Sequence, residues 1–168
     1  MHLSYINLRR VLTNIPLKMK KTLFILTAVF FFGLVFSQEN KILENQIVKQ
    51  WMDYSKGFEY KDYERIASHF TYPAIFNNST PIIVKDKKMM IEAYKSVREN
   101  VQKDYKYSLI DKWKLINITN EFLILDAHYS RYNSDYKQIL SGRGLYFYSK
   151  VNGNWFLKEV TTLSQNKL

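Results

Sequence analysis

The sequence predicts an α+β domain in which a curved antiparallel sheet wraps around about three helices. Over residues 40–56, 61–69 and 86–104 the apolar residues recur at helical spacing, and after residue 105 they alternate with polar residues as in strands. Helices that precede or interrupt a run of antiparallel strands make an α+β layer design. The composition supplies enough core material, because 46% of the residues are hydrophobic and 16% are aromatic.

The first segment of the chain has the pattern of an export signal. Residues 22–36 are all apolar or small, Lys18, Lys20 and Lys21 stand just before them, and Glu39 is the first acidic residue. This order is typical of a secretory signal peptide. As a helix the run would span about 22 Å, short of a hydrocarbon core of about 30 Å.

We therefore predict an N-terminal extension and signal peptide over residues 1–37, translated from Met19 and cleaved after Ser37, and one domain over residues 38–168. The domain is expected in the periplasm or outside the cell, with no stable membrane anchor after cleavage. The chain has no cysteine, so it needs no disulfide in that compartment.

Charge gives no sign of a nucleic-acid partner. Removal of residues 1–37 takes away five basic and no acidic side chains, so the net charge falls from +10 to +5. The remaining charges alternate in sign, as in Lys85-Asp86-Lys87-Lys88. That mixture is typical of a solvated surface, and we predict no nucleic-acid binding.

Three helices are predicted before the long strands begin. The first covers residues 40–56, where apolar residues repeat at helical spacing, and it ends at Gly57. The second is short, over residues 61–69. The third begins after Asp86, which can cap it, and reaches about residue 104.

Six strands are predicted from alternation and turn signals. Two short strands flank the turn at residues 77–80, and four longer ones form a meander. Asn152-Gly153 is the strongest hairpin signal, because both residues tolerate the positive φ of a primed turn. Gly142 and Gly144 indicate a bulge or bend in a curved strand. The predicted strands are residues 71–76, 81–84, 107–118, 121–132, 136–150 and 155–163.

These elements resemble the nuclear transport factor 2-like, or SnoaL-like, superfamily over nearly all of the domain. The resemblance is carried by the element order and by three stretches, DYERIASHFTYP from Asp62, DAHYSRYN from Asp126 and NGNW from Asn152. It implies a cone-shaped barrel with a pocket between the helices and the concave sheet, often dimeric through the sheet. It implies no single activity, because the superfamily includes isomerases, dehydratases, cyclases, hydrolases and dimerisation modules.

One position departs from the superfamily pattern. Relatives commonly have Gly in the turn that follows the DAHYSRYN strand, where this chain has Tyr136. The turn geometry and the register of the next strand therefore stay open at this point.

The hairpin at Asn152-Gly153 predicts which side chains share a face. It pairs Val151 with Asn154, so that Tyr148 lies opposite Leu157 and Tyr146 opposite Glu159. Together with two residues of the first helix, this face forms an apolar cup with a few polar groups, which is how small-molecule sites are usually built. The predicted ligand-binding residues are Trp51, Tyr54, Tyr129, Arg131, Tyr146, Tyr148 and Glu159. In the alternative interpretation, Arg131 and Glu159 form a structural ion pair and the tyrosines fill the core or a dimer surface.

A second group of residues has the pattern of an acid–base pair. Asp126 and His128 are two apart in a strand, so they point the same way, and a carboxylate beside a histidine can orient it as a general base. These two are the catalytic candidates. His69, at a helix end, is expected to be a packed or capping residue. Widely separated histidines and the absence of cysteine predict no metal site.

The sequence thus leaves three functions open. The first is an exported domain that binds a small apolar or aromatic molecule, without a cofactor, as a homodimer. The second is an enzyme of the same fold that uses Asp126 with His128, or Tyr146 with Glu159, in proton transfer of the isomerase or dehydratase kind. The third is a homodimeric interaction module with a filled core. Whether the chain is an enzyme stays open.

Overall fold

A computed structural model describes residues 16–77 and 80–167 of the chain. The chain divides into two compact units, residues 1–43 and 44–168. The helices are α1 (Leu17–Tyr60), α2 (Tyr63–Ser68) and α3 (Lys87–Glu99). The strands are β1 (Phe70–Asn77), β2 (Pro81–Val84), β3 (Tyr107–Thr119), β4 (Phe122–Tyr132), β5 (Gln138–Val151) and β6 (Asn154–Lys167).

The predicted signal peptide lies largely outside what the structure describes. Residues 1–15 are among those not described, and the side chains of residues 26–37 are not described either, although the backbone there belongs to α1. Among the described residues, no helix combines the length and the apolar character needed to cross a membrane. The signal peptide and the boundary after Ser37 stay predictions.

The sequence predicted that the first helix ends at Gly57, and this is wrong. α1 continues to Tyr60, and the chain leaves it through Lys61 at a φ of 60°. A Cβ on Gly57 would lie 2.8 Å from Cγ1 of Ile66, so this glycine permits the close approach of α2 rather than stopping α1. Asp62 then caps α2, because its carboxylate accepts a hydrogen bond from the backbone N–H of Arg65 at 3.0 Å.

The sheet has six strands in the order β2-β1-β6-β5-β4-β3. The predicted antiparallel meander from β3 to β6 is confirmed. β1, however, runs parallel to β6, with Phe76 opposite Val160, so the sheet is mixed and the prediction of a wholly antiparallel sheet is wrong for this pair. Period-two alternation identifies a strand but carries no information about its partner or direction, which here depend on packing of the β1–β2 hairpin.

The hairpin between β5 and β6 forms as predicted, but its register changes along the strands. Asn152 and Gly153 have φ of 50° and 82°, and Tyr148 lies opposite Leu157. The register then shifts by one residue in β6, so that Tyr146 pairs with Val160 and Phe147 with Glu159. The predicted pairing of Tyr146 with Glu159 is therefore wrong, because the extra residue turns Glu159 to the other face of the sheet.

The turn between β4 and β5 accommodates Tyr136 where glycine was expected. Tyr136 adopts a φ of 61°, and its side chain is 79% exposed, so it has room for this conformation. The side chain of Asn133 holds the turn, because its Oδ1 accepts hydrogen bonds from the backbone N–H groups of Asp135 and Lys137. The register shifts by one residue beside this turn, where Tyr132 pairs with Gln138.

The inner face of β4 and β5 supports the core of the second unit. In β4 the buried positions alternate as Leu123, Leu125, Ala127 and Tyr129. These lie opposite Tyr148, Tyr146, Gly144 and Gly142 of β5. Gly142 and Gly144 are neighbours on this face and leave room for aromatic rings. A Cβ built on Gly142 would lie only 2.5 Å from Cζ of Tyr129.

Replacement of Gly142 by Ala tests this contact. We expect Gly142→Ala to lower the free energy of unfolding by about 1–3 kcal/mol, as overpacking of a filled site does. The cost should shrink in a Tyr129→Ala background, where the ring that meets the new methyl group is gone. Urea denaturation of the four proteins measures this, with Ser141→Ala on the opposite face as the control. Equal costs in both backgrounds would contradict the contact.

Candidate functional site

A cavity of about 610 Å³ opens between α1, α3 and the inner face of the sheet, all within residues 44–168. Its walls come from the residues of α1 on the sheet side, the apolar stripe of α3 and the inward residues of β4, β5 and β6. Five of the seven predicted ligand-binding residues line it, namely Trp51, Tyr54, Tyr129, Arg131 and Tyr146. The alternation of the strands therefore brings these side chains together as expected.

The other two predicted residues do not reach the cavity. Tyr148 is 1% exposed and packs in the core, where its hydroxyl has no hydrogen-bond partner among the described residues. Glu159 faces the other side of the sheet because of the bulge in β6, and its carboxylate accepts a hydrogen bond from the Thr161 hydroxyl at 2.8 Å. The alternative of an Arg131–Glu159 ion pair is wrong for the same reason.

Aromatic rings in edge contact form the floor of the cavity. The Trp51 and Tyr146 ring centroids lie 5.9 Å apart, and those of Tyr54 and Tyr146 lie 6.0 Å apart. The hydroxyl groups of Tyr54 and Tyr94 share a hydrogen bond of 2.7 Å. Burial raises the pKa of Tyr54 and of Tyr146, so both stay protonated at neutral pH and offer hydroxyl groups rather than phenolates.

Arg131 is the one charged residue among the described residues that line the cavity. Its Nη1 donates a hydrogen bond to Oε1 of Gln102 at 2.9 Å, while its Nε is buried without a partner among the described residues. The guanidinium carbon lies 5.4, 5.5 and 5.6 Å from the ring centroids of Phe58, Tyr105 and Tyr129. Aromatic faces thus surround a cation at the wall of the cavity.

Several residues of this wall were not predicted from the sequence. Tyr94 and Val97 lie on an apolar stripe of α3 that faces the cavity, and the helical spacing of that stripe was the available signal. Gln102 lies in the connection between α3 and β3, where nothing in the sequence indicates a site residue.

The catalytic candidates lie on the opposite face of the sheet. In β4, Asp126 and His128 alternate with the buried residues and so point away from the cavity. Nε and Nη2 of Arg143 donate to the two carboxylate oxygens of Asp126 at 2.9 and 2.7 Å, and this bidentate pairing lowers the pKa of that carboxyl group. The carboxylate is therefore held by Arg143, which no spacing in the sequence pairs with Asp126, rather than by His128.

A different aspartate–histidine contact joins α1 to the end of α2. Oδ2 of Asp53 lies 2.9 Å from Nε2 of His69, and Asp53 also forms an ion pair with Arg65. Burial lowers the pKa of His69, and the hydrogen bond with Asp53 opposes this shift. His69 also ends α2 as its C-cap, in agreement with the expected packed or capping role. No sequence pattern pairs residues 53 and 69, because the contact depends on how α2 folds back onto α1.

This contact borders a second, shallower cavity of about 800 Å³ between α1 and β3. Met52, Leu109 and Ile110 supply apolar surface there, and Asp53 and His69 lie at its edge. Within residues 16–77 and 80–167, no group of three or more His, Asp or Glu side chains is placed to hold a metal ion.

Solved structures share this architecture at low sequence identity. A protein of unknown function with a cystatin-like fold from Nostoc punctiforme is 11% identical, with a TM-score of 0.62, over 71% of this chain and 88% of its own. A structure from Catenulispora acidiphila in complex with S-DNPA is 10% identical, with a TM-score of 0.60, over 73% and 92%. The chain has the nuclear transport factor 2-like fold. The predicted fold class is confirmed.

A third neighbour is an enzyme. The hexachlorocyclohexane dehydrochlorinase LinA-type3 from Novosphingobium barchaimii is 13% identical, with a TM-score of 0.60, over 79% of this chain and 94% of its own. Proteins of nuclear transport factor 2-like fold therefore include enzymes as well as proteins without a known activity, and the fold alone assigns neither role. No protein-family model and no curated protein matches the chain.

Acidification should reveal the burial of His69. The pKa of His69 in the folded chain lies below its ordinary value of 6.5. As the pH falls through 6.5, the unfolded chain therefore binds more protons than the folded chain does. The contribution of His69 to stability is therefore complete above that pH and is lost below it. We expect the wild-type chain to lose more stability between about pH 7.5 and 5.5 than His69→Gln, as measured by urea denaturation.

Ser68→Ala is the matched control, because Ser68 precedes His69 in α2 and does not titrate. It should keep the pH dependence of the wild-type chain. Equal pH dependence in wild type and His69→Gln would contradict the assignment of this titration to His69.

Proposed function

We propose that the domain binds a small apolar or aromatic molecule in the cavity between α1, α3 and the sheet. One observation carries this proposal: a cavity of about 610 Å³ stands open between α1, α3 and the sheet, with aromatic and aliphatic side chains over part of its wall and hydroxyl, amide and guanidinium groups over the rest. Ligand sites of proteins are clefts of roughly 300–1,000 Å³ in which apolar and aromatic surface is combined with convergent polar groups. A domain whose interior served only for packing would be expected to fill such a volume, because protein interiors are close-packed.

The polar groups that line the cavity suit binding better than proton transfer. Tyr54 and Tyr146 are held protonated by burial, so they can donate hydrogen bonds to a ligand but are poor bases at neutral pH. Among the described lining residues there is no carboxylate and no imidazole. An isomerase or dehydratase reaction needs a group that accepts a proton near neutral pH, and we therefore rank binding above catalysis.

The enzyme alternative has less support from the geometry. Asp126 and His128 point away from the cavity, and Glu159 does not share a face with Tyr146. The dehydrochlorinase neighbour is an enzyme of the same fold, so the fold is compatible with this alternative. The similarity does not identify a catalytic residue in this chain.

We further propose that the mature protein is exported and forms a homodimer through the outer face of the sheet. On this face Ile124, Leu145 and Phe147 are half-buried apolar side chains, and the rings of Phe122 and Phe147 are 6.2 Å apart. Burial of such a face against a second copy would remove apolar surface from water.

Filling the cavity tests the binding proposal. N-phenyl-1-naphthylamine, a neutral aromatic fluorophore, should bind the wild-type protein, and Val97→Trp should weaken that binding at least about tenfold because the indole would occupy the cavity that Val97 lines. Fluorescence titration gives the affinities.

Glu99→Trp is the control, since it adds the same side chain at an exposed position of α3, and it should bind like the wild type. Circular dichroism shows whether both variants fold. Unchanged binding by Val97→Trp, or no binding by the wild type, would contradict the proposed site.

Export and assembly can be tested on the protein purified from its own cells. Native mass spectrometry should give a dimer of chains that begin at Gln38, because cleavage is predicted after Ser37. A chain that retains residues 1–37 would contradict export through a cleaved signal. A monomer at micromolar concentration would contradict the dimer.

A further inference from the structure

We propose that the ligand of the cavity carries an anionic group, a carboxylate or an equivalent acid, that pairs with Arg131. The inference rests on the proposed binding function and specifies the chemical class of the ligand. The cavity walls combine aromatic and aliphatic side chains with hydroxyl and amide groups and this one charge. The geometry thus points to an amphipathic molecule that has an apolar part and an acidic group at one end.

Arg131 carries its charge in a place where water can solvate only part of it. The side chain is half-buried, and its Nε atom is buried and makes no hydrogen bond to the described residues. An arginine does not lose its proton in proteins, so it cannot escape the cost of desolvation by becoming neutral, as lysine or histidine can. Buried charges are normally paired with an opposite charge.

Within the described residues no carboxylate lies within 4.0 Å of Arg131. Its one hydrogen bond to them goes to the neutral amide of Gln102, which leaves further N–H donors of the planar guanidinium available. Glu59 is close enough to influence the pKa of the adjacent Tyr105, but it forms no ion pair with Arg131. The described part of the protein thus supplies the planar set of guanidinium donors but no carboxylate to accept hydrogen bonds from it.

A second guanidinium strengthens the positive potential at this wall. Arg98 lies over the same two rings as Arg131, with its Cζ 5.6 Å from the centroid of Phe58 and 4.8 Å from that of Tyr105. Arg98 donates from Nε to the backbone carbonyl of Phe58 at 3.2 Å and has no ion pair within the described part of the chain. The two guanidinium groups contact the same two aromatic rings and repel each other. An anion bound in the cavity beside Arg131 would offset this repulsion.

The aromatic rings around Arg131 fix where the anion would bind. Phe58, Tyr105 and Tyr129 surround the guanidinium at 5.4–5.6 Å, so their faces restrict its movement. A carboxylate placed in the cavity would meet a donor group that is already oriented, which lowers the entropic cost of the contact. The apolar part of the ligand would then extend toward Trp51 and Tyr146.

A pair of probes that differ only in charge tests the inference. 2-Naphthoate is ionised at neutral pH, and 2-naphthamide has nearly the same shape without the charge. Isothermal titration calorimetry should show the wild-type protein binding 2-naphthoate at least about tenfold more tightly than 2-naphthamide, as expected for a charge-assisted hydrogen bond. Arg131→Gln, which keeps an amide donor and removes the charge, should abolish this preference while 2-naphthamide affinity changes little.

The outcomes separate the two proposals. If both probes bind the wild type equally and Arg131→Gln changes neither affinity, the apolar binding function stands and the anionic ligand is wrong. If neither probe binds at millimolar concentration, both proposals are overturned. Should Arg131→Gln fail to fold, Arg131→Lys replaces it and should retain the preference, and the comparison of the two probes on the wild type decides the question without any variant.

Discussion

The cavity depends on where the sheet makes room for aromatic rings. Gly142 and Gly144 lie on the inner face of β5, against the rings of Tyr129 and Tyr146 respectively. Without side chains at these two positions, the rings of Tyr129 and Tyr146 pack directly on β5, and on their other side they meet the Trp51 ring of α1 at 6.3 and 5.9 Å. The same glycines that give a curved strand its freedom to bend therefore also make space for the rings that line the cavity.

Much of this arrangement follows from periodicity alone. The elements of the domain and the inward direction of Tyr129, Arg131 and Tyr146 follow from alternation, because a strand offers only two faces and one of them must cover the core. Trp51 and Tyr54 follow from the apolar stripe of α1. Alternation could not predict that β1 pairs with β6, nor where β6 bulges. Both depend on contacts between segments distant in sequence. A shift of one residue was enough to remove Glu159 from the predicted site.

The two aspartate–histidine pairs illustrate the limit of spacing as a signal. Asp126 and His128 have the right spacing to share a face, yet Arg143 on the adjacent strand takes both oxygens of the aspartate. Asp53 and His69 have no informative spacing, and packing of α2 onto α1 brings them within 2.9 Å. A pair two residues apart in a strand shows only that both side chains point the same way, whereas a hydrogen bond also requires donor and acceptor atoms about 2.7–3.2 Å apart at a suitable angle.

Arg131 connects the stability of the fold to its proposed use. A hydrophobic residue of similar size could fill the space between Phe58, Tyr105 and Tyr129 without desolvating a charge, and replacement of buried charges by apolar groups is often neutral or stabilising. A guanidinium at this position, whose Nε has no partner among the described residues and which shares its rings with a second cation, is thus a poor choice for packing alone. It is a good choice for a wall that meets an anion, because pairing then restores the interaction that burial removed from the charge. Stability and recognition thus lead to the same group, the guanidinium of Arg131 at the wall of the cavity.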